Sequence, residues 1–525
     1  MNYRLTSLRT LSHGLLLALP LAACSGGGDG TETDADATSE GTGTSGGATE
    51  DPTASTTAGG NTDGATDSES GTGSSGSTGD TGDDANFPNC SCADFEGDCI
   101  EVTADDEEGL QIAANSLEDN GTLVLGLGSF ELDNQVTIRA DGITVCGQGI
   151  GVEGDFEQGT TLDFAAQMTQ SNGLDIVGDN TTVRDLAIVD AKKDGLRIED
   201  SDDVTIQRVR VTWRKVADSS NGSYGIYPVK VRRVLIEDSV SYNSSDAGIY
   251  VGQCAHAIVR NNVAKRNVAG IEIENTQYAD VYGNLAEDNT GGLLIFDLPG
   301  NPIVGHDISI HDNTIINNNQ VNFAPGGTVK QIPPGTGTFA MASRRVEIFD
   351  NTYENNGTGD IAVVSGLIIE GDEEQWAISL DELNGDIDKV ELPMGDGVIY
   401  NYQTNNIFIH DNSHSGSGMD PFKSTMDQEF GALLILLYAD NLPIDNVLYD
   451  TIGESSHHPT DAAMNSNDNH LCLQSNTGAT FVSLNAEETQ QPPFDIEALF
   501  RPPAPFTPFD CGNFTMGPIT PPDMG

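Results

Sequence analysis

The chain has 525 residues, with 81 Asp or Glu against 23 Lys or Arg, a formal net charge of −58. A surface this acidic repels a nucleic-acid duplex, so no nucleic-acid partner is expected. The length alone admits two to four domains.

Residues 1–23 read as an export signal. Arg4 and Arg9 form a positive start, the apolar run LLLALP follows, and LAAC closes the segment at Leu21–Cys24. The run is too short for a permanent membrane anchor. LAAC resembles the lipobox of bacterial lipoproteins. That resemblance implies that Cys24 is lipidated, tying the chain to a membrane through an N-terminal lipid. Ser25 in the following position implies sorting to the outer membrane, at the cell surface or facing the periplasm. Residues 24–86 are Gly, Ser, Thr, Ala and Asp with almost no large apolar side chain, and read as a disordered acidic tether.

An exported chain meets an oxidising compartment. Seven cysteines follow Cys24, at 90, 92, 99, 146, 254, 472 and 511, and an odd number cannot all pair internally. The closeness of Cys90, Cys92 and Cys99 favours a local bridge, and Cys472 with Cys511 would pin the C-terminal tail. Order is expected from 87 onward. DDEEGLQIAANSLEDNG reads as a short amphipathic helix capped by Asp105, with Leu110, Ala114 and Leu117 on one face and Gly121 at its end. The strands TLVLGLGSFEL, VTIRA, GITVCG and TTLDF follow. GIGVEG at 149–154 matches a nucleotide-binding glycine pattern but has no helix after it, so it is set aside.

From Gly173 one pattern recurs six times. Gly173, Gly195, Gly225, Gly248, Gly270 and Gly292 each open a Gly-apolar-x stretch, at spacings of 22, 30, 23, 22 and 22. A second strand comes about nine residues later and ends in a column of Asn262, Asn284, Asn313, Asn351 and Asn412. A fixed period of this size signals a solenoid, and apolar alternation at period two makes each unit of strands. The expected fold is all-β: a single-stranded right-handed parallel β-helix, a pectate-lyase-like solenoid with a short N-terminal capping helix, over residues 87–488. The Asn column fits a structural ladder between coils, and the Gly are expected to ease the corner backbone. Pro299–Gly305, Gln320–Gly337 and Glu370–Asn405 read as insertions. NNIFIHDN, GALLILLYA (431–439) and HLCLQSN read as strands, and 489–525 as a Pro-rich strap.

These repeats, in DAGIYVGQ, RNNVAKRNVAGIEIENTQYADVYGN and NTGGLLIFDLPG, resemble the exported right-handed β-helix proteins associated with carbohydrate binding and sugar hydrolysis. The similarity covers about Asp105 to Glu488, and the subfamily it points to is lipoprotein-like. The wider group includes pectate-lyase-like enzymes, polysaccharide epimerases and a periplasmic copper-maturation protein, so the fold does not choose among activities. The full Asp, His-Gly and Arg-x-Lys set of polygalacturonases and the Asp-Pro-His-Asp signature of mannuronan epimerases are not found.

The outward positions of the first strand carry the candidate site. One row is Arg197, Tyr227, Tyr250, Glu272 and Leu294; the next is Glu199, Val229, Gly252, Glu274 and Phe296. Aromatic rings stack on sugar C–H faces and carboxylates bind hydroxyls, so Arg197, Tyr227, Tyr250, Glu272 and Glu274 are the candidate ligand-binding residues. Glu272, Glu274 and Arg197 are also the catalytic candidates for a lyase, hydrolase or epimerase, since paired carboxyls run glycoside hydrolysis at the right separation. Between Arg184 and Arg266, 14 Lys or Arg stand against 11 Asp or Glu, a basic band suited to an anionic glycan. His457, His458, His470 and Cys472 are candidate metal ligands; no cofactor is required, though Ca²⁺ fits the many surface Asp. The first reading is a lipid-anchored envelope protein that binds polysaccharide. The alternatives are a non-catalytic surface scaffold for an envelope protein and a metal- or redox-linked accessory.

Overall fold

The computed structural model describes residues 90–152, 158–421, 434, 438, 442–451, 466–484, 509–511 and 516–525. The export signal, Cys24, the tether, His457 and His458 lie outside the described residues, as does 489–508 of the Pro-rich segment.

The described chain is a parallel β-helix. One sheet of 11 strands and one of 20 run along its length, and coil-to-coil pairings are parallel throughout. The register follows the sequence period: Tyr250 pairs with Glu272 and Glu272 with Leu294. Each residue therefore lies beside its counterpart one coil away. Inward residues form apolar columns, such as Val259, Val281, Ile310, Ile348, Ile409 and Leu473, all buried. Full burial of one such side chain contributes about 1.5–3 kcal/mol, and no single coil could achieve it alone.

Helix α1, Glu107–Ser116, packs against the strand Val136–Ile138 at the N-terminal end. Its cap is Asp106, whose carboxylate accepts the Gly109 N–H at 2.9 Å, and not Asp105. The Asp105 carboxylate instead accepts the Thr103 hydroxyl at 2.6 Å. Leu110, Ala113 and Ala114 form the buried face.

The Asn column is an internal ladder. The backbone N–H and side-chain amide of Asn262 both donate to Oδ1 of Asn284, which repeats this toward Asn313 at 3.0 Å. The series continues through Asn351 and Asn412 to Asn476. A second ladder, Asn267, Asn289, Asn318 and Asn356, follows the same rule at the next turn. The coil-opening glycines do not have the left-handed backbone that the corner argument requires, and the second ladder accounts for Gly248 and Gly270. A Cβ at Gly248 would sit 2.5 Å from the Asn267 amide, and at Gly270 2.8 Å from that of Asn289. Close approach of the ladder selects glycine there. The left-handed corners belong instead to residues such as Gln253, Asn261 and Asn275.

Disulfides join Cys90 to Cys146, Cys92 to Cys99 and Cys472 to Cys511; Cys254 is free and buried. Residues 516–525 run back along one corner of the coils. Arg345 donates to the Pro518 carbonyl, the Thr520 N–H to Asp307, and the Asp523 N–H to His256. Two sequence readings change. The strand Thr336–Met341 begins inside the insertion expected to run to Gly337. Leu434 and Tyr438, the described residues of GALLILLYA, are helical: Leu434 is buried with the apolar cluster outside the sheet, and the Tyr438 hydroxyl bonds Asp445. An apolar run of this length does not distinguish strand from helix by itself.

Replacing Asn284 with Ala would leave the Asn262 backbone N–H and the Val259 carbonyl buried without the partner that Asn284 supplies. A loss of about 2–4 kcal/mol is expected, since each orphaned group costs about 1–3 kcal/mol. Urea unfolding of the variant against the parent chain measures it.

Candidate functional site

Arg197, Tyr227, Tyr250, Glu272 and Leu294 do form one outward row on the 11-stranded sheet, with Glu199, Val229, Gly252, Glu274 and Phe296 beside it. The row is not uniformly open. Tyr227 and Arg197 are half-buried, whereas Tyr250, Glu272 and Glu274 are 4%, 2% and 7% exposed. The expected open face therefore ends near Tyr250. Farther along, the outward residues are apolar (Leu294, Phe296, Phe339, Met341), and inserted segments cover them with Val329, Ile332 and Trp376. The covering segment from 320 to 335 passes beside Asp246: a Cβ on Gly327 would lie 3.8 Å from its carboxylate.

At this border three tyrosines pack together. The ring centroids of Tyr224 lie 4.6 Å from those of Tyr227 and Tyr250, and Tyr227 meets Tyr250 edge to face at 4.9 Å. Gly252 makes room for them, because a Cβ there would lie 2.1 Å from the Tyr250 ring. Four carboxyls adjoin the rings: Asp194, Asp246, Glu272 and Glu274. Glu274 accepts hydrogen bonds from the Tyr250 hydroxyl and the Asn301 amide. Asp246 keeps a partly exposed edge, but its Oδ1 is enclosed.

Burial dominates the electrostatics. It pushes Asp194 up to about 7, against the pull of Lys193 and Arg197. It raises Glu274 to about 7, and Asp246 to about 8 with added repulsion from Glu274 and Asp194. Glu272 is raised well above the usual carboxyl range by burial, then by Asp246 and Glu274. Carboxyls that stay protonated near neutral pH can act as acids or donate hydrogen bonds. Asp194 and Asp246 were not among the sequence candidates. Their signal is a place just before the coil-opening Gly195 and Ala247-Gly248.

The basic band is consumed between coils. Arg208 pairs with Asp185, Arg214 with Asp163, Arg232 with Asp202 and Arg260 with Glu237. Arg197 pairs with Glu199 and faces Asp175 at 3.6 Å. A free cationic strip for an anionic glycan is therefore not what these residues form. Of the metal candidates, the two described residues have other partners. Cys472 is bound to Cys511, and the His470 Nδ1 meets the Asn406 side chain. Among the described residues, no three His, Cys, Asp or Glu side chains are placed to hold a metal ion, Ca²⁺ included.

Residues 214–370 match a family model described as "Right handed beta helix region". The coil is a right-handed parallel β-helix. No curated protein matches the chain. Among solved structures, the A-module of mannuronan C-5 epimerase AlgE4 from Azotobacter vinelandii is 16% identical, with a TM-score of 0.42, covering 72% of this chain and 93% of that one. The periplasmic alginate epimerase AlgG is 13% identical, with a TM-score of 0.35, covering 63% and 70%. An exopolygalacturonase from Thermotoga maritima is 11% identical, with a TM-score of 0.35, covering 61% and 87%.

The raised carboxyls set a pH dependence. Unfolded, Glu272 ionises above about pH 4; folded, it stays protonated far higher. Its contribution to stability is therefore full below about pH 4 and is lost as pH rises through its folded value. Glu272→Gln removes that dependence. The variant should match the parent in Tm at pH 4 and exceed it by several degrees at pH 8, measured by thermal scans across that range.

Proposed function

We propose that this chain is an exported envelope protein that binds polysaccharide at the tyrosine–carboxyl cluster. The observation that carries the reading is the cluster itself. Three packed rings, three buried carboxyls and the partly exposed Asp246 lie where the outward face passes from open to covered. Tyr224, Tyr227 and the edge of Asp246 reach solvent there. Ring faces suit the C–H faces of a sugar, and protonated carboxyls both donate and accept hydrogen bonds to hydroxyls. Tyr227 and Arg197 would meet the ligand first, with Tyr250, Glu272 and Glu274 beneath. A carboxyl held neutral beside a second carboxyl and a phenol is also a source of acid–base chemistry, which places Glu272 and Glu274 first for any cleavage or epimerisation.

Export is supported by three disulfides among the described residues, which form and persist in oxidising compartments. The LAAC stretch supports attachment through a lipid on Cys24, with the acidic tether setting the coil off the membrane. A second reading, a non-catalytic scaffold for an envelope protein, is favoured by one observation: Tyr250 and Glu272 are covered rather than set in an open groove.

A glycan array probed with the full chain, beside Tyr227→Ala, tests the proposal. Retention of one glycan class is expected, with roughly two- to tenfold weaker binding by the variant, taking about 0.5–1.5 kcal/mol for the lost ring contact. No retained glycan with a folded chain would overturn it in favour of the scaffold.

A further inference from the structure

The cluster is rich in acceptors and poor in positive charge. Glu272 is 2% exposed and its Oε2 has no hydrogen-bond partner; Asp194 is 1% exposed and its Oδ1 has none either. The enclosed Oδ1 of Asp246 is a third. These oxygens come from three coils around the tyrosines: Asp246 and Glu272 act on Tyr224, Glu272 also on Tyr250, and Asp194 on Tyr227. Of the cations near them, Arg197 is already paired with Glu199 and Asp175, and Lys193 is exposed. A buried carboxyl without a counter-charge stays protonated, and a ligand that brings the charge lets it ionise. Aromatic faces attract cations as well.

We propose that the glycan taken by this site carries protonated amino groups, so that its ammonium groups lie against the tyrosine rings and bond Glu272, Asp194 and Asp246. This rests on the polysaccharide reading above and names its substrate class: an amino-sugar polymer. A uronic-acid polymer would add carboxylates beside four carboxyls. A bare metal ion needs its oxygens gathered about one point, and these side chains are not so placed. Oxygens spread over three coils, with rings between them, suit an extended organic cation.

Titration calorimetry on the full chain decides it, with a β-1,4-linked glucosamine tetramer, its N-acetylated form and a tetragalacturonate as probes. The amine tetramer is expected to bind at least tenfold more tightly than the acetylated one. Glu272→Gln and Asp194→Asn, checked for folding by circular dichroism, should each lose at least tenfold. Glu118→Gln, an exposed acid far along the chain, should change nothing. Equal losses in Glu118→Gln and Glu272→Gln would mean diffuse attraction to an acidic surface and overturn the proposal. Tighter binding of the acetylated or uronate probe, abolished by Tyr227→Ala, would overturn the ammonium assignment and leave the polysaccharide reading standing. Binding of none of the three, with no glycan retained on the array, would overturn both.

Discussion

Everything in this protein depends on one constraint: each coil hydrogen-bonds the next in parallel register, so a residue lies beside its counterpart one period away. Side chains therefore occur in rows rather than as individuals. Inward rows must be apolar, because a coil has no other way to bury its Ile and Val. Rows at the turns must satisfy backbone groups that leave the sheet. The two Asn ladders do so, each amide bonding the next coil's Oδ1 and a strand carbonyl behind it. Gly248 and Gly270 follow from the second ladder, since nothing larger fits beside the Asn267 and Asn289 amides.

The same rule builds the outward face and gives it a direction. Its early coils are charged and paired, as in Arg139 with Asp175 and Lys230 with Glu199. Its later coils are apolar and roofed by inserted segments carrying Ile332 and Trp376. The tyrosine–carboxyl cluster lies at the junction. That position accounts for its electrostatics. The roof removes water from Glu272 and Glu274 without supplying a cation, so both are driven toward the neutral form. Elsewhere the protein pairs its buried charges: Arg344, fully enclosed, bonds Asp297 at 2.6 Å. In that pair an opposite charge faces the buried carboxylate, whereas one enclosed oxygen each of Glu272 and Asp194 has no hydrogen-bond partner.

The sequence by itself determined the architecture and the rows. A 22-residue period with apolar alternation admits little but a stacked coil, and the register it implies puts Tyr250 beside Glu272. It also marked the outward apolar pair Leu294 and Phe296, a sign of cover that only makes sense once the roof is seen. Only the tertiary structure decided exposure, charge and pairing. Segments tens of residues away enclose Tyr250 and Glu272, and the basic band dissolves into ion pairs that link neighbouring coils. Asp194 and Asp246 joined the site for the same reason, through contacts across coils. Local pattern fixes which way a side chain points, because that depends on its own strand. What lies against it depends on loops whose path the period does not govern, and it is this that sets the state of the carboxyls.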